Sequence, residues 1–267
     1  MRIVTPRYTP MAALAAALAV TASLSPMAAG AAARAASLPQ TVRAWGSNAY
    51  GELGNGTAAD SSLPGRVEIP AGIELSSARC LLSCLAVTTK GQAYAWGRND
   101  VGQLGDGTTK PRLTPVRVDL PAGVKVTAVR PGGAFSLALT STGKVLAWGA
   151  NAAGDLGNGT TKSRLKPVLV SLPKGVTVKA ISAGNDDGFA LTSTGRVLSW
   201  GGNAGGQLGD GTTKGRKTPG YVSLPKGTTV TSIAAGSLTG YAVTKSGGLL
   251  AWGENNHGQL GDGTTKQ

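Results

Sequence analysis

Five tryptophans set the register of this chain. Trp45, Trp96, Trp148, Trp200 and Trp252 stand 51 or 52 residues apart, four preceded by Ala and one by Ser, and every one followed by Gly. A period near 50 marks a repeat architecture, in which each unit is too small to bury its own apolar face and must stack on the next. Other landmarks keep the same step. Six residues after each Trp begins G-x-L-G-[DN]-G-T, as in Gly102–Thr108. A proline follows at nineteen residues (Pro64, Pro115, Pro167, Pro219) and P-x-G at twenty-five (Pro70, Pro121, Pro173, Pro225). Five residues before the next Trp stands a glycine: Gly91, Gly143, Gly195, Gly247. The one 51-residue spacing reflects a single residue lost between Gly72 and Cys80.

Four short apolar segments lie between these marks in each repeat. In the second repeat they are Val116–Leu120, Val124–Val129, Phe135–Thr140 and Val145–Trp148, each four to six residues and β-branched enough to read as a strand. Proline is expected to open the first strand, where no ladder donor is needed. L-P-x-G reads as a type I turn with Pro at its second position, and S-T-G-K as a tight hairpin. No stretch shows sustained helical periodicity. The prediction is an all-β chain, a β-propeller of four-stranded antiparallel blades. In that architecture a Trp in every repeat fills the gap between blades, and the Gly after it admits a neighbouring backbone. The competing reading, five Trp as a ligand-stacking cage, fits a recurrent anchor less well than core packing does.

The combined pattern A-W-G-x-N-x-x-G-Q-L-G-D-G-T, preceded by T-x-G-[KR]-V-L, resembles the RCC1 repeat over about residues 42–267. WD40 and kelch blades recur at similar spacing but lack L-G-[DN]-G-T after Trp-Gly. The chain is thus similar to a secreted, bacterial-type member of the RCC1-repeat family. One departure stands out: where the family often shows His before Ser or Thr in the third strand, this chain has Ser83, Phe135, Asp187 and Thr239. The resemblance implies seven blades. This sequence supplies about four full blades plus a partial one, which predicts an incomplete ring, roughly 140 residues short at ~52 per blade. A fragment is favoured over closure by a second chain, and the open blade edges predict self-association.

The N-terminus predicts export. Met1–Pro10 carries Arg2 and Arg7 and no acid, Met11–Leu24 is uncharged and apolar, and Ser25–Ala36 offers A-x-A triplets. That order reads as a cleaved secretory signal over residues 1–36, leaving 37–267 as the repeat array. An uncleaved anchor is the alternative, but 14 residues fall short of the ~20 a spanning helix needs. The expected location is extracellular, with no membrane association after cleavage. Loss of Arg2, Arg7 and Arg34 takes the formal charge from +13 to +10. Nucleic acid is disfavoured as a partner by export and by 4% aromatic content, too thin for stacking platforms.

Little in the sequence supports catalysis. His257 is the single histidine and occupies a loop slot held elsewhere by Tyr50, Val101, Ala153 and Gly205. A variable loop slot is a poor place for an essential base, so there is no case for a Ser-His-Asp triad, and a lone histidine cannot make an H-E-x-x-H zinc site. Asp186 and Asp187 are neighbours that point apart in extended backbone. G-x-L-G-D-G-T lacks the Lys-Ser/Thr of a P-loop and the staggered acids of a calcium loop. Its Asp106, Asp210 and Asp262 exchange with Asn55 and Asn158, which suits an Asx-turn needing only a side-chain oxygen. The sequons at Asn55 and Asn158 coincide with the same turn and are discounted. No cofactor and no metal are expected.

Two features remain. Cys80 and Cys84 are the sole cysteines, and in an exported chain they predict a local disulfide. T-T-K-x-R recurs as Lys110/Arg112, Lys162/Arg164 and Lys214/Arg216, with Lys266 beginning another. We place it between the last strand of one blade and the first of the next, and strand parity gathers these connections on one face. The residues form a soluble rim or an anion-attracting surface. The leading expectation is a non-enzymatic binding scaffold for an unknown protein or anionic cell-wall polymer. The resemblance also brings in a nuclear GTPase-exchange role, disfavoured by export, and a β-lactamase-inhibitor role. Inhibitor surfaces cluster Trp and Tyr, whereas here the Trp serve the blades and Tyr50, Tyr94, Tyr221 and Tyr241 share no slot. An enzyme on a propeller scaffold is the remaining alternative.

Overall fold

The computed structural model describes residues 17–21 and 41–266, which form strands and turns and no helix. The strands are β1 (Ala17–Thr21), β2 (Thr41–Gly46), β3 (Ser61–Arg66), β4 (Leu75–Cys80), β5 (Ser83–Thr88) and β6 (Ala93–Gly97). Then come β7 (Arg112–Arg117), β8 (Val126–Pro131), β9 (Phe135–Thr140), β10 (Val145–Gly149), β11 (Arg164–Leu169) and β12 (Val178–Ala183). The last six are β13 (Asp187–Thr192), β14 (Val197–Gly201), β15 (Arg216–Tyr221), β16 (Val230–Ala235), β17 (Thr239–Thr244) and β18 (Leu249–Gly253). Strands pair antiparallel in sequence order within five sheets. The sheets β4–β7, β8–β11 and β12–β15 have four strands; β1–β3 and β16–β18 have three. No sheet joins the first strands to the last among the described residues, so the array of blades is open.

Blade and sequence repeat are out of phase. The segment after each Trp-Gly folds back and pairs with the Trp strand itself: β7 on β6, β11 on β10, β15 on β14. T-T-K-x-R therefore lies in the connection between third and fourth strands of one blade, not between blades as expected. Each repeat contributes its first strand to the edge of the preceding blade, which ties neighbouring blades covalently. The proline position also changes. Pro115, Pro167 and Pro219 lie inside the edge strands, where the register shifts between two pairs such as Ala95–Val116 and Gly97–Arg112. A bulged edge strand leaves that nitrogen without a ladder partner, so proline costs nothing there. In L-P-x-G the hydrogen bond runs from Val124 N–H to the Pro121 carbonyl at 3.1 Å, with Gly123 at φ 74°. The turn thus starts on proline and places Gly third, where positive φ demands it.

The second strands β5, β9 and β13 are buried at every position, while the edge strand β7 is buried at one position only. Burial on both faces follows from stacking, because each sheet is covered by a neighbour on either side. The Trp make those seams. Trp148 packs on Leu85, Ala95 and Leu104 of the preceding blade, and its indole N–H donates to the Gln103 carbonyl at 2.8 Å. The same bond joins Trp96 to Glu52, Trp200 to Asp155 and Trp252 to Gln207, each at 2.8 Å. Gly105, at φ 70°, lies so close that a Cβ would approach the Trp148 Nε1 to 2.7 Å, so this glycine is a packing requirement. Trp96, Trp148 and Trp200 are fully buried, whereas Trp45 and Trp252 in the end sheets are half-buried.

Strand β2, which carries Trp45, has a companion on its N-terminal side. Ala17–Thr21, inside the predicted export segment, pairs with it from Ala17–Trp45 to Thr21–Thr41. An unpaired edge is a template for any extended segment. The rest of residues 1–36, and the cleavage window around Arg34, lie outside the described residues.

Candidate interaction face

Strand alternation puts the turns β4–β5, β8–β9, β12–β13 and β16–β17 on the same face as the long connections that follow each Trp strand. Backbone bonds confirm the juxtaposition: Arg98 N–H to Leu82 O, Ala150 to Ala134, Gly202 to Asp186 and Glu254 to Leu238, at 2.8–3.1 Å. Lys90, Lys144 and Lys245 occupy the hairpins at the opposite ends of the strands.

Each long connection is wound around a buried asparagine. Asn99 donates from Nδ2 to the carbonyls of Thr108 (3.1 Å) and Lys110 (2.9 Å), and its Oδ1 accepts the Leu104 N–H (2.9 Å). Asn48, Asn151, Asn203 and Asn255 repeat the arrangement, and all five are buried. This asparagine is the N of the A-W-G-x-N pattern, and its structural role emerges only from the folded loop. Its recurrence at one slot in all five repeats was the available signal. The Asx-turn is present: Asp106 Oδ1 accepts the Thr108 N–H at 3.0 Å and hydroxyl at 2.8 Å. Burial would raise the Asp106 carboxyl, but the Thr108 and Arg112 bonds more than offset it and hold it below its usual range.

These loops divide the T-T-K-x-R residues into two groups. Arg112 is paired with Asp106 at 2.6 Å and Arg216 with Asp210 at 3.1 Å, so both are committed to holding their own loop. Arg164 faces a repeat with Asn158 in place of Asp and is exposed, as are Lys110, Lys162, Lys214 and Lys266. The lysine carbonyls serve the asparagine clamp, which leaves the ammonium groups to solvent.

At the centre of this face a cavity of about 760 Å³ is bounded by Arg79, Arg98 and Arg130 from the earlier blades and by Asn185, Asp186 and Ser237 from the later ones. Arg79 and Arg130 occupy equivalent slots near the ends of β4 and β8. Each donates Nη1 to the carbonyl of the residue before it, Ala78 or Val129, at 2.8 Å. Burial, and then the Arg79 charge, hold the Arg130 guanidinium below its usual range. Arg98 pairs with Asp100 at 2.7 Å while its buried Nε has no acceptor.

A buried acid lies behind the later wall. Asp187, first residue of β13, is fully buried and neither carboxylate oxygen has a hydrogen-bond partner. Burial, and then the charges of Asp186 and Asp155, push it up to about 8. Asp155 is pushed up to about 6, mainly by burial, against the pull of the Asp155 and Ala153 N–H groups. Asp186 is exposed, so the two neighbours do point apart, but the coupling to Asp155 from the preceding repeat was not legible from adjacency. Among the described residues no three His, Cys, Asp or Glu side chains come together to hold a metal. His257 is exposed; its N–H bonds Gln259 Oε1 at 2.8 Å, a backbone contact that Val101 makes with Gln103 in another repeat. Cys80 and Cys84 are bonded across the β4–β5 hairpin, where they face each other in register.

The sequence profile of the RCC1-like domain matches residues 6–267. The chain belongs to this family. As an RCC1-like chain it is 32% identical over 224 residues to the ultraviolet-B receptor UVR8 of Arabidopsis thaliana, covering 83% of this chain and 51% of the receptor. It is 33% identical over 226 residues to the human E3 ubiquitin-protein ligase HERC2, 83% of this chain and 5% of the ligase. The crystal structure of human WBSCR16 superposes with a TM-score of 0.77 at 25% identity, over 86% of this chain and 61% of that one. Prp20p of Saccharomyces cerevisiae gives 0.70 at 28% identity, over 82% and 54%. The chain spans about half the length of UVR8. These RCC1-like relatives share its blades; the arginine-lined mouth and the exposed lysines are described from its own residues.

Proposed function

We propose that this chain is an exported, non-catalytic interaction scaffold that presents the face of its long connections to a protein or an anionic wall polymer. The observation that carries the reading is the periodic exposure of Lys110, Lys162 and Lys214, once per blade, on loops that the buried asparagines hold rigid. Rigid loops keep the ordering cost of binding low. A relative with described partners supports a protein-binding role: yeast RCC1, which is Prp20, has been solved bound to Kap60 and has described binding properties to Gsp1p and histones. Export rests on the charge, apolar and small-residue order of residues 1–36. It predicts a mature N-terminus between Arg34 and Leu38, to be read by N-terminal sequencing of protein from culture supernatant.

The binding test compares two triple variants on immobilised wall polymer and on secreted proteins. Replacing Lys110, Lys162 and Lys214 by Gln should weaken capture far more than replacing Lys90, Lys144 and Lys245. Capture should also fall steeply between low and physiological salt, where the Debye length shrinks to ~8 Å. Equal losses from the two triples would mean general charge attraction and no face.

A further inference from the structure

The lysines recur with the blade, whereas the arginines of the central mouth do not persist: Arg79 and Arg130 share a slot in two successive blades and Arg98 stands alone in its own. The slot of Arg79 and Arg130 holds Ser182 and Ala234 in the next two blades, and the slot of Arg98 holds Ala150, Gly202 and Glu254. Blade packing therefore accepts a small residue at both places. Three guanidinium groups have nonetheless been gathered on one wall of one cavity. Arg79 and Arg130 have no ion pair among the described residues, and their one hydrogen bond each goes to an adjacent backbone carbonyl, leaving the rest of each donor fork open. Arg98 and Arg130 are half-buried and Arg79 is exposed. Bringing their like charges together opposes folding and contributes nothing to a seam. The Cys80–Cys84 bond fixes the strand end that carries Arg79. A cavity of about 760 Å³ is within the range of small-ligand sites.

We propose that this mouth binds an oxyanion, a carboxylate or phosphate group, between the guanidinium groups of Arg79, Arg98 and Arg130. Planar guanidinium forks match both groups and bind them through paired, charge-assisted bonds. The opposite wall carries Asp186, which repels an anion and confines it to the arginine side. The site uses none of the exposed lysines: Arg98 opens the connection that carries Lys110, but Lys110, Lys162 and Lys214 do not line the cavity.

Titration calorimetry of the full chain with citrate and, separately, inorganic phosphate, at constant ionic strength, tests the assignment. The expected result is saturable binding of one anion per chain for at least one probe. The double variant Arg79→Gln/Arg130→Gln should bind about 10-fold or more weakly, as loss of charge-assisted bonds implies. The triple Lys110→Gln/Lys162→Gln/Lys214→Gln should stay within about two-fold of wild type on the same arithmetic, even if it abolishes polymer capture. The tighter probe tells carboxylate from phosphate. Should the double variant fail to fold, Arg79→Lys/Arg130→Lys keeps the charge but loses the fork and should bind with intermediate strength. Absence of saturable binding by both probes, or unchanged affinity in the arginine variant that folds, overturns the proposal.

Discussion

The seams between blades and the mouth at their centre are built on opposite plans. At each seam the same contact is made: an indole N–H to a backbone carbonyl of the preceding blade, at 2.8 Å in four places. At the mouth, equivalent slots hold Arg, Ser and Ala, or Arg, Ala, Gly and Glu, and the slot of the buried Asp187 holds Ser83, Phe135 and Thr239 in the other blades. The seams use repetition because every blade must solve the same stacking problem. The mouth departs from repetition where stacking makes no demand. That contrast separates residues that hold the array together from residues free to recognise something.

The largest expected effect is at an interior seam. Trp148→Ala removes a fully buried indole and its hydrogen bond, and should cost ~3–5 kcal/mol in guanidinium unfolding. Trp252→Ala, in a half-buried position at the end of the array, should cost about half of that on the same scale. Equal costs would break the distinction between inner and terminal seams.

Next comes Asp187. Its carboxyl is raised to about 8 in the fold against 3.8 ordinarily, so the folded chain keeps a proton that the unfolded chain releases. Stability from this group is complete below about pH 4 and is lost as pH rises toward 8; Asp155 adds a loss between about pH 4 and 6. Asp187→Ser, which installs the residue of the Ser83 slot, should stabilise the chain by about 3 kcal/mol at pH 8 and flatten the profile. Unfolding midpoints at pH 5 and pH 8 decide it, and a profile unchanged by the substitution would show that Asp187 is not the titrating group.

Smaller effects sharpen the comparison. Asn151→Ala should cost about 2 kcal/mol, because the Leu156 N–H loses its acceptor and two carbonyls lose a donor. Reducing Cys80–Cys84 should cost about 1–2 kcal/mol, since the closed loop is short. Intact mass with and without reductant, followed by thermal unfolding of each form, measures this. A cost above that of Trp148→Ala would make the disulfide, and not the seam, the main tie.

The Trp period and the strand-forming segments were sufficient to reach the blades, because stacking makes the same demand at every repeat. Phase was not legible. Val116–Leu120 reads as the start of a repeat, yet the strand Arg112–Arg117 folds back on Ala93–Gly97, and pairing partners are set by the loop between them. That loop is governed by Asn99, whose hydrogen bonds reach as far as Lys110, eleven residues on, so that its recurrence marks the slot but not the partners. The exposed lysines were legible as a recurrence, but the loss of Arg112 and Arg216 to Asp106 and Asp210 was not, because it needs the Asx loop to close. The arginine mouth was missed altogether. Arg79 and Arg130 share a slot in only two blades, Arg98 stands alone in its own, and the three converge only once blades are arranged around an axis.

The central claim is that residues kept in every repeat carry the fold, while those at the mouth that vary between blades are free of it. It is tested most directly by comparing guanidinium midpoints of two double variants. Arg79→Ser/Arg130→Ser installs at the mouth the residue that Ser182 already supplies in the next blade; Asn99→Ser/Asn151→Ser makes the same replacement at the clamps. The account predicts that the arginine pair stays within ~0.5 kcal/mol of wild type and the asparagine pair loses about 4 kcal/mol. An arginine pair as destabilising as the asparagine pair would contradict it.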